Sequence, residues 1–300
     1  HIGSLRPGGV LLYDSDHVKP AEGDNRFTAV ACPITTATVE AVGGTSKDKG
    51  KNIFVLGLIA RIFDLDVPKL AQLIKERFGG KDESIVRNSM LAFDAGYAWP
   101  QNNLRDLFFR FEAADLQRAS SGRPQITVDG NSALAYGLLA AGVRHGAGYP
   151  ITPWSSIMEI LRTELPKYGG VFVQCEDEIA AVSTALGFSY TGQLAITGSA
   201  GPGLSLKMEA LGWATMAEMP LIVVNVQRGG PSTGMPTNVE QSDLMQAIYG
   251  SHGDTPRVVL APKNVEDCFY IAIEAARIAR EYSTPVLILT DMGLSSRIEA

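Results

Sequence analysis

Two hydrophobic patterns alternate along the second half of the chain. Short unbroken runs of apolar residues predict strands that are buried on both faces, at residues 171–175, 194–197, 221–226, 258–261 and 285–290. Apolar residues at helical spacing predict helices between them, at residues 130–142, 179–188, 204–217 and 265–280 and from about residue 239. This alternation indicates an α/β fold, in which helices cover both faces of a parallel sheet.

The pattern before residue 120 is different. A Pro-Gly-Gly turn leads into an apolar strand at residues 10–14, and a second buried strand is predicted at about residues 28–34. Helical spacing then follows at residues 52–63, 70–78 and 84–95. The polar, aperiodic stretch at residues 115–124 predicts the boundary between two domains, residues 1–120 and 124–300.

Composition and charge exclude several classes of protein. The 300 residues carry a net charge of −6, which argues against a broadly basic, nucleic-acid-binding face. No apolar run approaches the roughly 18–20 residues of a membrane span. The three cysteines have no C-x-x-C spacing, which excludes a disulfide framework and a self-contained zinc or iron–sulfur site. We therefore expect a reducing compartment, the cytoplasm.

Candidate chemistry lies where predicted strands end, because ligands of open parallel sheets bind beyond the carboxyl ends of the strands. The first such segment is Gly-Tyr-Pro-Ile-Thr-Pro at residues 148–153. Its two prolines fix the backbone, and Thr152 is predicted to cap a helix that has Pro153 as its first residue. A rigid turn without function explains this segment equally well.

Two further segments follow the next strands. Glu176, Asp177 and Glu178 stand at a predicted helix start, where acidic residues complement the helix dipole without any function. Glycines nine and fourteen residues after Glu178 favour it as a carboxylate that faces a cleft. The turn Thr-Gly-Ser-Ala-Gly-Pro-Gly at residues 197–203 presents backbone N–H groups that suit an anion. Its spacing matches neither a dinucleotide fingerprint nor a P-loop, so a phosphate site and a structural turn both stay open.

The fourth segment begins with an arginine. Arg228 directly follows an apolar strand and precedes a loop that is rich in Gly, Ser, Thr and Pro, an arrangement that suits recognition of a carboxylate. A surface arginine is the competing interpretation. The four histidines have no paired spacing, so no metal site is predicted, and there is no G-x-S-x-G hydrolase motif.

The four segments, in this order, resemble the α subunit of 2-oxoacid:ferredoxin oxidoreductases, most closely the 2-oxoglutarate type. The quoted motifs are Tyr-Pro-Ile-Thr-Pro at 149–153, Glu178 with its glycine spacing, the turn at 197–203, and Gln-Arg-Gly-Gly-Pro-Ser-Thr-Gly-Met-Pro-Thr at 227–237. Residues 5–14, 52–63 and 85–97 resemble the γ domain that many of these α subunits carry at the N-terminus. The resemblance implies a thiamine-diphosphate-binding fold of the pyrimidine-binding type, preceded by a partial γ-type α/β domain. It also implies that the 300 residues are an internal part of a longer subunit.

The resemblance further implies roles for individual residues. Glu178 would hydrogen-bond N1′ of the cofactor's aminopyrimidine and promote its imino tautomer, with Glu176 as the competing assignment. Arg228, Thr237 and Thr152 would contact the 2-oxoacid substrate. The implied cofactor-binding residues are Tyr149, Pro150, Ile151, Thr152, Glu178, Gly198 and Ser199.

The implied reaction is the oxidative decarboxylation of 2-oxoglutarate with coenzyme A and ferredoxin, or the reverse carboxylation of succinyl-CoA in CO₂ fixation by a reductive TCA cycle. The family's G-D-G…N motif and its cluster cysteines are missing from the sequence, so Mg²⁺ and a [4Fe-4S] cluster are expected in a β subunit. Activity would need that subunit, in an (αβ)₂ assembly.

Three alternatives stay open. One is an enzyme of the same kind that prefers pyruvate or accepts many 2-oxoacids. Another is a CoA- or nucleotide-binding α/β protein that uses the turn at residues 198–203 as its phosphate site. The third is a scaffold subunit whose acidic surface docks a redox partner.

Overall fold

The computed structural model describes residues 5–20, 23, 25–43, 50–80, 82–104 and 125–299. The chain divides into two compact units, residues 1–123 and 124–300. The polar stretch that predicts the domain boundary lies outside the described residues, since residues 105–124 are not among them.

In the first unit, two parallel strands are followed by helices. The strands β1 (Gly9–Asp14) and β2 (Phe27–Cys32) pair with Gly9 opposite Phe27. The helices are α1 (Ile34–Val42), α2 (Lys51–Ile62), α3 (Val67–Phe78) and α4 (Glu83–Asn103).

Two glycines explain how the first unit is packed. A Cβ on Gly57 of α2 would collide with the backbone of Phe93 in α4, and a Cβ on Gly96 would collide with the backbone of Phe54. The two helices therefore touch backbone to backbone, and any larger residue at either position would push them apart.

Several predictions for the first unit were wrong. The two strands are not buried: β1 is half-buried throughout, and in β2 only Cys32 is buried. The predicted extension of β2 to residue 34 is instead the start of α1, whose threonine-rich sequence disfavours a helical prediction. The Thr38 hydroxyl donates to the carbonyl of Ile34 one turn earlier (2.6 Å), as threonines inside helices commonly do. Helix α4 also runs beyond the predicted residue 95, to Asn103.

The second unit contains a six-stranded parallel sheet in the order β5-β4-β6-β7-β9-β8. Its strands are β4 (His145–Gly148), β5 (Val171–Gln174), β6 (Ala195–Ser199), β7 (Leu221–Gln227), β8 (Val258–Leu260) and β9 (Pro285–Asp291). Two short strands, β3 (Val128–Asp129) and β10 (Ile298–Glu299), form a separate antiparallel pair.

Helices connect these strands. They are α5 (Gly130–Ala140), α6 (Ser155–Glu164), α7 (Glu178–Tyr190), α8 (Pro202–Leu206), α9 (Met208–Met216), α10 (Leu244–Tyr249), α11 (Val265–Tyr282) and α12 (Met292–Ser295), with a 3₁₀ turn at Leu165–Tyr168. Asp129 caps α5, because the backbone N–H of Ser132 donates to the Asp129 carboxylate (2.9 Å).

The prediction of a doubly covered sheet is confirmed by β7, whose seven residues are all buried. Successive side chains of a strand point to opposite faces. Ile222 and Val224 belong to one apolar cluster, whereas Leu221 and Val223 belong to another, so helices cover both faces. The outer strands depart from the prediction: β5 and β8 are partly exposed, since each has a neighbour on one side only.

Three predicted helix boundaries were wrong. Thr152 does not cap a helix: α6 begins at Ser155, because the chain first turns to bury the Trp154 indole in the core. The helix predicted from residue 239 begins at Leu244, since Glu240 accepts a hydrogen bond from the Gly230 N–H in the loop after β7, and the Asp243 N–H donates to the side chain of Gln227 in β7. The helix predicted at residues 204–217 is divided into α8 and α9 at Lys207.

Within the part of the chain that the structure describes, no helix combines the length and the apolar character that crossing a bilayer requires.

Candidate active site

The parallel sheet brings the carboxyl ends of its strands to one edge. Gln174 at the end of β5 is opposite Gly148 of β4, and Ser199 at the end of β6 is opposite Asn225 of β7. The four segments singled out in the sequence follow β4, β5, β6 and β7, so they leave the sheet at the same edge.

Glu178 is a buried carboxylate at this edge. It is the first residue of α7, whose N-cap Asp177 accepts a hydrogen bond from the backbone N–H of Ala180 (2.8 Å). Glu178 is 7% exposed, whereas Glu176 is exposed. The two carboxylates that the sequence leaves as alternatives thus have opposite environments.

Ser199 and Gly203 lie against the Glu178 side chain. A Cβ on Gly203 would lie 2.7 Å from Oε1 of Glu178 and would overlap with the hydroxyl of Ser199, so only glycine fits there. Ser199 is 1% exposed, and its Oγ has no hydrogen-bond partner among the described residues. Buried hydroxyls are normally hydrogen-bonded, so this one is available to a bound group.

Lys207 completes this group of residues, and its side chain is fully buried. Its ammonium donates to the backbone carbonyl of Glu178 (3.0 Å) and to Oγ1 of Thr197 in β6 (3.3 Å). Burial lowers the pKa of Lys207 to about 8, against the attraction of Glu178, which raises it. We call Glu178, Thr197, Ser199, Gly203 and Lys207 the Glu178 cluster.

Gly198, one of the predicted cofactor-binding residues, lies against the side chain of Trp154. The buried Trp154 indole occupies the space where a Cβ on Gly198 would lie, and its Nε1 would be 3.2 Å from a Cβ on Gly148. Gly198 therefore makes room for an aromatic ring of the core. The Trp154 Nε1–H is buried and has no hydrogen-bond partner in the part of the chain that the structure describes.

Arg228 is 5% exposed and lies where β7 ends. It begins a segment, residues 228–238, that is exposed for most of its length and that we call the Arg228 loop. Its Nη1 donates to the carbonyl of Thr152 (2.6 Å), and its Nη2 donates to the carbonyl of Thr233. Burial lowers the pKa of Arg228, and the negative charge of Glu178 opposes this shift. The Arg228 Nε is buried and has no partner among the described residues.

The other predicted substrate contacts are Thr237 and Thr152. Thr237 is exposed in the Arg228 loop, and among the described residues no hydrogen bond joins it to Arg228. Thr152 lines a cleft of about 500 Å³ together with Asn131, Ser156 and Glu159. The hydrogen bond from Arg228 to the Thr152 carbonyl links this cleft to the Arg228 loop.

The predicted cofactor residues at 149–151 differ in exposure. Tyr149 is half-buried and Pro150 is exposed. Ile151 packs against the apolar cluster that contains Trp154.

A buried polar network next to Arg228 was missed in the sequence. Asn225 and Gln227, on one face of β7, both hydrogen-bond Asp243. The Asn225 side-chain amide donates to the Asp243 carboxylate (2.8 Å), and the Asp243 backbone N–H donates to Oε1 of Gln227 (3.0 Å). Polar residues at alternate positions of an otherwise apolar strand are the signal that would have found it.

Lys207 was missed as well, although its position is informative. With Leu204 and Leu211 it forms a stripe at spacings of three and four residues, and all three are fully buried. A lysine on the apolar stripe of a predicted helix is the signal, because a buried charge requires a specific partner.

The described residues contain no group of three or more His, Cys, Asp and Glu side chains that would hold a metal ion.

A parallel α/β domain with a buried carboxylate and an unpartnered hydroxyl at the carboxyl edge of its sheet is of the cofactor-binding class. The family described as "Pyruvate flavodoxin/ferredoxin oxidoreductase, thiamine diP-bdg" matches residues 136–299, and "Pyruvate ferredoxin/flavodoxin oxidoreductase" matches residues 1–99. The chain belongs to the pyruvate flavodoxin/ferredoxin oxidoreductase family, and its second unit is a thiamine-diphosphate-binding domain.

Individual relatives agree with this assignment. The chain is 38% identical over 326 aligned residues to the 2-oxoglutarate oxidoreductase subunit KorA of Mycobacterium tuberculosis, covering 100% of this chain and 49% of the relative. It is 51% identical over 164 residues to the 2-oxoglutarate synthase subunit KorA of Archaeoglobus fulgidus, covering 55% of this chain and 47% of the relative.

A solved structure is similar over nearly the whole chain. It is the 2-oxoglutarate:ferredoxin oxidoreductase from Magnetococcus marinus with 2-oxoglutarate, coenzyme A and succinyl-CoA bound, with a TM-score of 0.78, 36% identity, and coverage of 98% of this chain and 50% of that one. The chain spans about half the length of these relatives.

Proposed function

We propose that the chain is the cofactor-activating part of a 2-oxoglutarate:ferredoxin oxidoreductase α subunit. The enzyme would convert 2-oxoglutarate and coenzyme A to succinyl-CoA and CO₂ and pass the electrons to ferredoxin, or run in reverse and fix CO₂. The observation that carries this proposal is the buried Glu178 carboxylate beside the unpartnered Ser199 hydroxyl, in a domain of a thiamine-diphosphate-binding family.

The Glu178 cluster fits an aminopyrimidine ring. The ring offers nitrogen atoms that accept and donate hydrogen bonds, and the cluster offers a shielded carboxylate and a hydroxyl without a partner. Gly203 leaves the space that these two side chains occupy. The exposed Glu176 offers no such shielding, so we assign the carboxylate role to Glu178.

Thiamine diphosphate, when bound, supplies the carbon nucleophile for the 2-oxo group and accepts the electrons released with CO₂. Glu178 holds a proton at N1′ of the ring, and burial keeps water from competing for that hydrogen bond. Ser199 orients the ring from the end of β6. Tyr149, Pro150, Ile151 and Thr152, which follow β4, would form a second wall for the cofactor.

Arg228 is suited to the carboxylate of the substrate. A guanidinium has five N–H donors, and the hydrogen bonds to Thr152 and Thr233 use two of them. The buried Nε–H has no partner within the described ranges of the chain, so it is available for a carboxylate oxygen. Thr237 would reach the same substrate from the Arg228 loop.

We further propose that a β subunit supplies Mg²⁺, the diphosphate site and the [4Fe-4S] cluster, in an (αβ)₂ enzyme of the cytoplasm. The support is the lack of a G-D-G…N motif and of clustered cysteines in the sequence. From the resemblance to 2-oxoacid:ferredoxin oxidoreductase α subunits, we also propose that residues 1–120 form a γ-type domain and that residues 124–300 form the pyrimidine-binding domain.

The experiment is an assay of the full-length protein copurified with its β partner. We expect 2-oxoglutarate- and CoA-dependent reduction of ferredoxin that stops when thiamine diphosphate is removed and returns when it is restored. Faster turnover of pyruvate would correct the substrate. Binding of ATP or CoA without any dependence on thiamine diphosphate would overturn the proposal in favour of a nucleotide-binding protein.

A further inference from the structure

Asn131 is a buried amide that the proposed mechanism does not use. It is the second residue of α5 and is 3% exposed. The other buried residues of this helix are glycines, alanines and leucines, so the buried face is otherwise apolar. Burying an amide costs free energy unless hydrogen bonds compensate for it, and its partners therefore indicate what it does.

Both N–H groups of this amide are used on one segment, the turn that follows β4. Nδ2 of Asn131 donates to the backbone carbonyl of Pro153 (2.9 Å) and to Oγ of Ser156 (2.7 Å). A carbonyl oxygen can only accept, so the amide nitrogen, and not the amide oxygen, must face Pro153. Oδ1 is buried and has no partner among the described residues. An amide whose acceptor side goes unused is held at this position for its donors.

Pro153 passes this constraint on to Thr152. The peptide bond between the two residues is planar, and the proline ring fixes φ of Pro153. One torsion, ψ of Pro153, is thus left to turn the Pro153 carbonyl relative to the Thr152 carbonyl. When Asn131 holds the first carbonyl, the direction of the second is nearly determined. The buried Trp154 indole anchors the next residue by packing, which by itself does not fix the direction of a carbonyl.

The Thr152 carbonyl is an acceptor that orients Arg228. Nη1 of Arg228 donates to it (2.6 Å) across 76 residues of sequence, and Nη2 donates to the carbonyl of Thr233. The guanidinium is planar, so the two carbonyls that hold its Nη groups also set where the Nε–H points. Asn131 and Arg228 therefore hold two consecutive carbonyls of one turn.

We propose that Asn131 is a positioning residue for the 2-oxoacid. By holding the Pro153 carbonyl it directs the Thr152 carbonyl toward Arg228, and so it keeps the Nε–H of that arginine pointed at the substrate carboxylate. This inference rests on the proposed function, in which Arg228 binds that carboxylate. Asn131 acts through Thr152 and Arg228 and touches no substrate atom itself.

The test compares Asn131→Asp with the wild type in the full-length protein assembled with its β partner. The two side chains have nearly the same shape, but an ionised carboxylate cannot donate to the Pro153 carbonyl. We expect the KM for 2-oxoglutarate to rise about 10-fold at about pH 8, while kcat and the affinity for thiamine diphosphate change by less than about twofold. A residue needed for the fold alone would instead lower the yield of assembled enzyme or kcat and leave the KM unchanged.

Acid should restore the variant. A protonated aspartic acid carries one O–H, which can donate to the Pro153 carbonyl as the amide does. Burial raises the pKa of such a carboxyl, and Asp129 and Glu159, the acidic residues that line the same cleft, would raise it further, whereas the guanidinium of Arg228 opposes the shift. The ratio of the KM of Asn131→Asp to that of the wild type should therefore fall from about 10 at about pH 8 toward about 1 at about pH 6.

A double variant tests whether Asn131 acts through Arg228. Arg228→Ala removes the guanidinium that the Thr152 carbonyl orients, so Asn131→Asp has nothing left to disturb in that background. We expect the KM of the double variant to equal that of Arg228→Ala within about twofold. If the two increases in KM multiply, Asn131 acts by another route and the inference is wrong.

Two further variants serve as controls. Asn131→Ala lacks a donor at any pH, so its raised KM should not recover in acid. Asn264→Asp makes the same chemical change at the N-cap of α11, where the side chain accepts from the Asp267 N–H (2.8 Å) and an aspartate caps as well as an asparagine. Its KM should match that of the wild type at both pH values. If Asn131→Ala does not assemble, Asn131→Asp at the two pH values still decides.

These outcomes separate the inference from the proposed function. If Asn131→Asp has the wild-type KM at about pH 8, or a raised KM that acid does not lower, the inference is wrong while the proposed function stands. If Arg228→Ala leaves the KM for 2-oxoglutarate unchanged, or the wild type does not turn over 2-oxoacids, the proposed function itself fails and the inference fails with it.

Discussion

The Glu178 cluster and the Arg228 loop lie at the same edge of one sheet and differ in how their polar groups are held. In the cluster, Glu178, Ser199 and Lys207 are buried and belong to, or directly join, regular elements. In the loop, most residues are exposed, and backbone hydrogen bonds such as Met235 to Gly229 (2.7 Å) hold its shape. The cluster thus suits a group that stays bound, whereas the loop suits a molecule that enters and leaves in each turnover.

The largest expected effect is that of Glu178→Gln in the cluster. An amide cannot hold a transferable proton, so we expect turnover of 2-oxoglutarate to fall by about 10²–10⁴-fold with the fold intact. Steady-state kinetics of the assembled enzyme measure it. Glu176→Gln is the matched control, because that carboxylate is exposed and two residues away. Near-normal turnover of Glu178→Gln would contradict the idea that the Glu178 cluster holds the cofactor while the Arg228 loop serves the substrate.

Stability as a function of pH tests whether the cluster holds a buried cation. Burial lowers the pKa of Lys207 from 10.5 to about 8. The unfolded chain therefore binds this proton more tightly, and the free energy of unfolding should rise with pH between about 8 and 10.5. We expect the wild type to gain up to about 3 kcal/mol relative to Lys207→Met over this range, measured by denaturant unfolding. If the free energies of unfolding of the wild type and Lys207→Met differed by the same amount across this pH range, the pKa of Lys207 would be that of an ordinary lysine.

Arg228→Ala tests the loop. Charge-assisted hydrogen bonds contribute about 1.5–3 kcal/mol, so the KM for the 2-oxoacid should rise by about 10–100-fold while the affinity for thiamine diphosphate is unchanged. Arg228→Lys should recover only part of the loss, because an ammonium lacks the planar fork. Arg277→Ala, at an exposed arginine of α11, is the control. An unchanged KM would show that Arg228 only joins Thr152 to Thr233.

A pair of glycine variants gives the smallest expected effect. Gly198→Ala, in β6 next to Ser199, would push its methyl group into the Trp154 ring and should lower stability by about 1–3 kcal/mol. Gly230→Ala in the Arg228 loop meets open space and should leave stability unchanged. Thermal unfolding measures both. Equal stabilities would mean that the two regions are packed alike.

The sequence predicted the sheet well, because unbroken apolar runs require burial on both faces, as in β7 and β9. It was less informative where tertiary contacts override local signals. The helix start at Thr152-Pro153 was wrong because Trp154 must reach the core, and the indole's partners, Gly148 and Gly198, are distant in sequence.

The candidate site was predictable only in part. Glu178 and Arg228 follow strands and carry chemistry that the motifs indicate. The glycine spacing favours Glu178 over Glu176, but the difference in burial between the two carboxylates is visible only in the structure. Lys207 lies 29 residues from Glu178 and reaches its backbone because α7 and α8 follow β5 and β6, which lie on either side of β4 in the sheet. Such pairing depends on strand order, which periodicity does not encode.

The most direct test of the account is a structure of the assembled enzyme with thiamine diphosphate bound. The account predicts that a carboxylate oxygen of Glu178 lies within hydrogen-bond distance, about 2.6–3.2 Å, of N1′ of the aminopyrimidine, with Ser199 beside the ring. An aminopyrimidine whose N1′ faces another residue, or a Glu178 side chain turned into solvent, would contradict it.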